Sequence, residues 1–379
     1  MTGDALLTLN AGSSSLKFRL FGLAPGLPFL LGGEVSGIGG AALFETHRAD
    51  GACTQSRKLA AGTGFDAALE EVLVWLDGQD GRWRMAAAAH RIVHGGPNHD
   101  RGIELDAPAM AYLRSLIPLA PLHQPQSLAG IETLWRRYPG LRQYGCFDTA
   151  FHARHEPLVT AFALPARVRD MGVRRYGFHG LSYAWIAHCL ASDFPHVAEA
   201  RVVAAHLGNG ASLCAMKAGV SVDTTMGMTA LDGLPMGTRC GALDPGVIPY
   251  MQRILNLTPV ETEAMLYNES GLKGLSGISG DMRVLLASGD PRAALAVDYF
   301  IYRTAQQIAA MAVSLGGIDA LVFTGGIGEH AGTVCDRIVD RLGFLSPFET
   351  HTIAANEEGA MALEVAGLLT VSGRQKVAE

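Results

Sequence analysis

The residues of this 379-residue chain best suited to chemistry are arginines, histidines and a lysine in glycine-rich surroundings, with one aspartate ending an apolar run. Arg91 lies in His90-Arg91-Ile92-Val93-His94-Gly95-Gly96 and Arg239 in Met236-Gly237-Thr238-Arg239-Cys240-Gly241. A guanidinium fork matches carboxylate or phosphate two bonds at a time. Asp148 follows Gly145-Cys146-Phe147, where a carboxylate is costly unless paired. It reads as a helix cap, an ion-pair partner or the group that orients a nucleophile. His179 and His206, each near glycine at a turn, suit hydrogen-bonding to charge developing on phosphoryl oxygens. His90, His94, His99, His123 and His152 invite a metal reading, but His90 and His94 fall on a strand cut by glycines and share no helical face. Glu357, after Asn356 at a helix start, complements the helix dipole or ligates magnesium.

These groups need elements to carry them. Leu6 to Leu20 reads as strand, turn, strand: an apolar run, the turn Gly12-Ser13-Ser14, then Leu16, Phe18 and Leu20 alternating with Lys17 and Arg19. The small residues leave backbone N–H groups approachable, and Lys17 adds a point charge suited to phosphate. No G-x-x-x-x-G-K-[ST] loop occurs. A second hairpin, Arg201–Leu207 and Ala211–Met216 around Gly208-Asn209-Gly210, echoes the first about 200 residues later. A third glycine turn, Thr324-Gly325-Gly326-Ile327-Gly328-Glu329, follows the buried strand from Ala320. Three such turns at strand ends suggest a nucleotide held without a Walker loop, and the half-length spacing suggests similar halves facing each other across a cleft. The texture changes near residue 145, where the domain boundary is placed. Helices are expected at Phe65–Leu76, Met110–Leu116, Pro125–Arg137, Ser182–Ala191, Pro249–Leu255, Pro259–Tyr267, Pro291–Leu315, Thr333–Leu342 and Asn356–Ala366. A Gly/Ala-rich linker is expected after about Gly40.

Composition removes several classes. Hydrophobic residues make up 49% and charged residues 17%, as in globular chains. A net charge of −6 gives no basic field for nucleic acid or an anionic membrane. No apolar run is long enough to span a bilayer, and Met1-Thr2-Gly3-Asp4 does not open a signal peptide. Six scattered cysteines with no C-x-x-C argue against zinc and fit reduced thiols in the cytosol.

The motifs Asn10-Ala-Gly-Ser-Ser-Ser-Leu-Lys17, His90–Gly96, Phe147-Asp-Thr-Ala-Phe-His152, Arg175-Tyr-Gly-Phe-His-Gly180, His206-Leu-Gly-Asn-Gly210, Met236-Gly-Thr-Arg239 and Thr324–Glu329 occur in one order along nearly the whole chain. Together they resemble the acetate kinase family. The resemblance implies an α/β protein of two ribonuclease-H-like domains in the acetate and sugar kinase, Hsp70 and actin superfamily. It places an N-terminal domain at 1–147, completed by a C-terminal helix in 355–379, and a nucleotide-binding and dimerisation domain at 148–354. It further implies a cytoplasmic homodimer that moves the γ-phosphoryl group of ATP to acetate, with Mg2+ or Mn2+ as cofactor and no nucleic-acid or membrane partner.

By the same resemblance Asn10 and Glu357 serve the metal and Arg91 binds the substrate carboxylate. Asp148 acts as acid/base or orienting residue, and His179 and Arg239 stabilise the transition state. Lys17, His206, Leu207, Gly208, Asn209, Gly210, Asp281, Met282, Arg283, Gly325, Gly326, Ile327, Gly328 and Glu329 contact the nucleotide. Two departures stand out: Leu122-His123-Gln124-Pro125 where the family has Leu-His-Asn-Pro, and Gly180-Leu181-Ser182-Tyr183 where it has Gly-Thr-Ser-His. The first bears on the acid pocket, and the second is expected to alter packing more than chemistry. Propionate kinase is the near alternative, an actin- or Hsp70-like ATP-driven switch the distant one, and a metal-dependent hydrolase a third.

Overall fold

The computed structural model describes residues 3–12, 14–79, 82–121 and 123–377, the side chains of 371–377 excepted. Ser13 of the opening turn and Leu122 lie outside the described residues. The chain divides into two compact units, one of Met1–Ala150 with Asn356–Glu379 and one of Phe151–Ala355.

The first unit is built on β1 (Gly3–Ala11), β2 (Ser15–Gly22), β3 (Phe29–Ser36), β4 (Leu43–Arg48), β5 (Cys53–Lys58), β6 (Trp83–Ile92), β7 (Ile103–Glu104) and β8 (Arg142–Phe147). They form one sheet in the order β5-β4-β3-β2-β1-β6-β8-β7. The alternation in β2 does what its period requires: Leu16, Phe18 and Leu20 are buried while Lys17 is exposed. β1 is central and buried from Leu6 to Asn10, and Ala87, Ala88 and Ala89 of β6 lie flush beside it, so backbone approaches backbone with little side chain between. The helix Phe65–Asp77 closes one face, where Trp75 meets Phe18 edge-on at 5.5 Å and Phe44 at 6.2 Å.

Phe44 belongs to a segment expected to be linker. It is instead the β4–β5 hairpin, and the physical reason is plain: β5 is an edge strand of polar residues, mostly exposed, with no apolar run to announce it.

The second unit carries β9 (Arg201–Leu207), β10 (Ala211–Lys217), β11 (Val220–Thr224), β12 (Ala320–Thr324) and β13 (Glu349–Thr352) in the order β11-β10-β9-β12-β13. β9, β10 and β11 run antiparallel, and β9, β12 and β13 run parallel. In unit 1, β3-β2-β1-β6-β8 repeats that order and those directions. Each unit therefore has the ribonuclease-H-like sheet, and the echo between hairpins extends to whole topologies. The helix Pro291–Leu315 packs on β10, with Asp290 accepting from the Arg292 amide at its start and Gly316 ending it at φ 71°.

Two further expectations are corrected. Gly325–His330 is a short helix and not a turn, because Glu329 reaches back to accept from the Gly325 amide at 2.9 Å and closes the coil on itself. The last helix runs Glu357–Val377, well beyond Ala366.

Candidate functional site

β1, β6 and β8 run parallel, so their C-terminal ends fall on one edge of the unit 1 sheet. That edge holds Asn10, Arg91 and Asp148, and the helix beginning at Glu357 brings two more acids to it. Arg91 grips Asp148 as a fork, Nε donating to Oδ1 at 3.0 Å and Nη2 to Oδ2 at 2.6 Å. Its Nη1 donates to Asn10 Oδ1 at 3.3 Å, and Asn10 Nδ2 donates to Glu357 Oε2 at 2.8 Å and Glu358 Oε1 at 2.9 Å. Asp148 is 1% exposed. Burial pushes its carboxyl up and the Glu357 charge adds to that, against the pull of Arg91. Burial works against the Arg91 charge, yet Asp148, Glu357 and Glu358 hold the guanidinium firmly protonated.

This edge carries excess negative charge: Asp148, Glu357 and Glu358 face Arg91, with Arg19 3.7 Å from Glu358. Hard oxygen donors in such a field fit Mg2+, which takes one or two carboxylates and fills the rest of its shell with water and phosphate. Among the described residues no group of three or more His, Cys, Asp or Glu is arranged to enclose a metal by itself. Lys17 is the exposed register partner of Asn10 on β2.

In unit 2 the β9–β10 turn is drawn tight by the Gly208 amide donating to Gly210 O at 3.0 Å. A Cβ placed on Gly210 would lie 3.2 Å from His179 Nε2 and 3.8 Å from Arg239 Nη1. One placed on Gly208 would lie 3.8 Å from both His206 Nε2 and the Gly326 amide nitrogen. Two imidazoles, a guanidinium and a helix-start amide thus converge on one bare turn. His179 sits in left-handed backbone at φ 59°, the cap of the helix Gly180–Asp193, and its ring stacks on His206 at 4.3 Å. Arg239 is steadied by Nη1 donating to Ala230 O at 3.0 Å, and the Gly237 amide ties its loop to Asn209 O at 3.2 Å.

Gly325, at φ 79°, is pressed so near the Leu207 backbone that a Cβ would stand 2.8 Å from Leu207 O. Gly326 is exposed and Ile327 partly so, whereas the Gly328 backbone is buried against Phe323. Leu207 and Met282 bury their side chains, leaving only backbone to offer a ligand. Asp281 caps the helix Met282–Leu286 and pairs with Arg283 at 2.7 Å, on a loop whose Gly280 backs against Gly237. Glu329 accepts from the Gly325 and Ala355 amides, each at 2.9 Å.

Other members of these networks were given no role by the sequence, Ser182 and Tyr183 standing in the departure expected to alter packing more than chemistry. Ser212 Oγ meets His179 Nδ1 at 2.9 Å, Ser182 Oγ meets His206 Nδ1 at 2.9 Å, and Tyr183 Oη meets Ser212. Strand alternation carried a signal, since Ser212 is the register partner of His206. Glu358, second of two adjacent acids, needed the fold to show it facing inward. Gln124, expected to bear on the acid pocket, is fully buried: its amide donates to His94 O at 3.0 Å and Leu113 O at 3.3 Å and accepts from His94 N at 3.2 Å. The His90 ring pairs with Gln143 at 2.7 Å, and burial pushes its pKa down to about 4.

A family model described as the Acetokinase family matches residues 5–363. The acetate kinase of Rhodopseudomonas palustris (strain TIE-1) is 48% identical over 346 residues, which is 90% of this chain and 87% of that protein. Among solved structures, a propionate kinase from Francisella tularensis subsp. tularensis SCHU S4 superposes with a TM-score of 0.88 at 32% identity, covering 96% of this chain and 99% of that one. Porphyromonas gingivalis acetate kinase superposes with a TM-score of 0.85 at 31% identity, covering 97% and 100%. With its sheets, its turns and almost its whole length accounted for in this way, the chain belongs to the acetokinase family.

Proposed function

We infer that this chain transfers the γ-phosphoryl group of ATP to acetate, reversibly, giving acetyl phosphate and ADP. An acetate oxygen attacks phosphorus while the bond from phosphorus to the bridging oxygen of ADP breaks, and that oxygen keeps the electron pair. Acetate is already ionised at neutral pH, so deprotonation contributes little. Catalysis comes from positioning and from neutralising charge on the transferring group.

The observation that carries the reading is the convergence of Arg239, His179 and His206 on the bare Gly208–Gly210 turn. In it the backbone there and at Gly325–Glu329 takes the nucleotide, with Lys17 and the Asp281–Arg283 loop as further contacts. Arg239 and His179 meet the charge that builds on the phosphoryl oxygens. Arg91 draws the acid to the unit 1 edge, and Asp148 holds that guanidinium in place and orients it. Asn10 and Glu357 would hold Mg2+, which when bound neutralises phosphate charge.

Incubation with MgATP and acetate, propionate or butyrate, with hydroxylamine trapping the acyl phosphate, tests this. Hydroxamate formed fastest from acetate is expected. Faster formation from propionate would move the assignment by one methylene, and ATP hydrolysis without hydroxamate would end it.

The reading extends to a homodimer in the cytosol. The helix Val247–Ile254 buries no residue and leaves Ile248, Tyr250 and Ile254 exposed, followed by Leu255 and Val260. These exposed apolar side chains are what supports an interface there. Light scattering should give twice the chain mass, and Tyr250→Glu should shift it toward the monomer. No helix among the described residues is long and apolar enough to cross a membrane.

A further inference from the structure

In unit 2 a hydroxyl stands at Nδ1 of each stacked imidazole, and one of these hydroxyls is itself held from behind. Tyr183 Oη lies 2.5 Å from Ser212 Oγ, which lies 2.9 Å from His179 Nδ1. Tyr183 is four residues after His179, one turn along the helix Gly180–Asp193, so its ring returns to the sheet beside the histidine it follows. Tyr183 and Ser212 are both 0% exposed, so bulk water does not reach the pair. Burial holds the phenol well above its usual pKa, and it stays an O–H group.

The hydrogens in this chain have one consistent direction. A serine hydroxyl has a single proton to give. The buried phenol O–H needs an acceptor, and Ser212 Oγ is the one it reaches. The His206 amide faces the same phenol oxygen from the donor side. Having accepted from Tyr183, Ser212 gives its own proton to His179 Nδ1. A neutral imidazole that accepts at Nδ1 carries its proton on Nε2. That nitrogen is the one facing the Gly208–Gly210 turn, 3.2 Å from where a Gly210 Cβ would stand. The neutral form also spares the 4.3 Å stack with His206 the repulsion of two charged rings.

We propose that Tyr183 is a positioning residue: acting through Ser212, it fixes His179 as the Nε2–H tautomer with that N–H aimed at the glycine turn, where it donates to a phosphoryl oxygen. This rests on the role given above to His179. The opposite tautomer would present a lone pair to an anion, so setting the proton is a condition for the histidine to help at all.

The test uses the full-length protein labelled with 15N-histidine. Long-range proton–nitrogen spectra report the His179 tautomer, its signals assigned by their loss in His179→Gln. The wild type should show Nε2–H. Tyr183→Phe keeps the ring and removes the hydroxyl; it should mix in the Nδ1–H form and lower kcat about tenfold, the equivalent of one weakened transition-state hydrogen bond, with KM for ATP and acetate unchanged. A merely structural tyrosine would move thermal stability or KM and leave the tautomer alone. Tyr183→Phe with the wild-type tautomer and kcat, alongside an inactive His179→Gln, would overturn the proposal and leave the His179 assignment standing. An active His179→Gln would remove that assignment and the proposal with it. Should Tyr183→Phe not fold, Ser212→Ala breaks the same link, and an unchanged tautomer there overturns the proposal equally.

Discussion

The two sets of site residues are made of opposite materials. At the strand ends of unit 1, carboxylates, a guanidinium and a carboxamide lock together with little exposure, and charge meets charge at 2.6 and 3.0 Å. At the β9–β10 turn of unit 2, imidazoles are held by neutral hydroxyls, and bare glycine backbone makes up the floor. The two sheets share one strand order, so the difference comes from what each strand end carries and not from the fold. A buried charged network resists change because removing one partner strands the others. A turn of backbone amides and neutral donors is ready for an anion and asks little of the surrounding fold. The first arrangement is part of the core, while the second is a tool mounted on it.

Truncating each arginine separates the two kinds. Arg239→Ala removes a cation that donates to the Ala230 carbonyl at 3.0 Å beside the glycine turn. Turnover should fall by about 10³-fold or more, the scale of an arginine acting on a transferring phosphoryl group, with the unfolding midpoint unchanged. Retention of a tenth of wild-type turnover would take Arg239 out of that role.

Arg91→Ala should also lose turnover, but it strands Asp148 in the core, and urea titration should show a loss of about 3–5 kcal/mol. Equal stability of the two variants would mean that the contrast between the two sets of residues is false. Asp148→Asn keeps the shape and removes one charge. A large fall in turnover is expected, and near-normal activity would leave Asp148 a structural partner of Arg91 only.

Acid sharpens the contrast from another side. Burial pushes His90 and His94 in unit 1 and His155 in unit 2 down to about 4, and His152 in unit 2 down to about 3. In the unfolded chain each takes up its proton near pH 6.5. These depressed groups leave stability intact above about pH 6.5 and erode it as pH falls toward 4, each by on the order of 3 kcal/mol across the window. Ser221 Oγ lies 2.8 Å from His152 Nδ1 and 2.7 Å from His155 Nε2, and the neutral His152 donates from Nε2 to Phe178 O at 3.0 Å, next to His179, and accepts from Ser221 at Nδ1. His155→Gln should flatten the acid limb of the stability curve. An unchanged slope would mean His155 is neutral in both states.

What the sequence disclosed follows from locality. The helix Pro291–Leu315 was legible at both ends because its stop and start signals are adjacent residues, Asp290-Pro291 and Gly316. The β9–β10 hairpin was legible because its apolar strands bracket a glycine turn. The β4–β5 hairpin was not, since its one strong anchor, Phe44 against Phe18 and Trp75, joins residues distant in sequence. Arg91, Asp148, His179 and Arg239 stood out by type and glycine context, and the fold brings the first two together and turns the last two toward the Gly208–Gly210 turn. Their supports, Ser182, Tyr183, Ser212 and Glu358, are ordinary residue types whose meaning lies in the partner they face.

The smallest effect concerns the amide that departs from the family pattern. Gln124 spends both ends of its side chain on backbone, bridging His94 and Leu113 from a position with no exposure. Its length is what spans that gap; an asparagine, one methylene shorter, cannot keep all these bonds without moving the helix Gln124–Arg137 toward the strand end. Gln124→Asn should therefore cost about 1–2 kcal/mol of stability, the scale of a buried hydrogen bond left unmade. Turnover with acetate should stay within about threefold, because a packing adjustment of this kind weighs far less on the barrier than loss of a charged contact. A change in preference between acetate and propionate, with stability unaffected, would show instead that this amide reads the acid, and would extend the charged network of unit 1 to include the loop that leads into it.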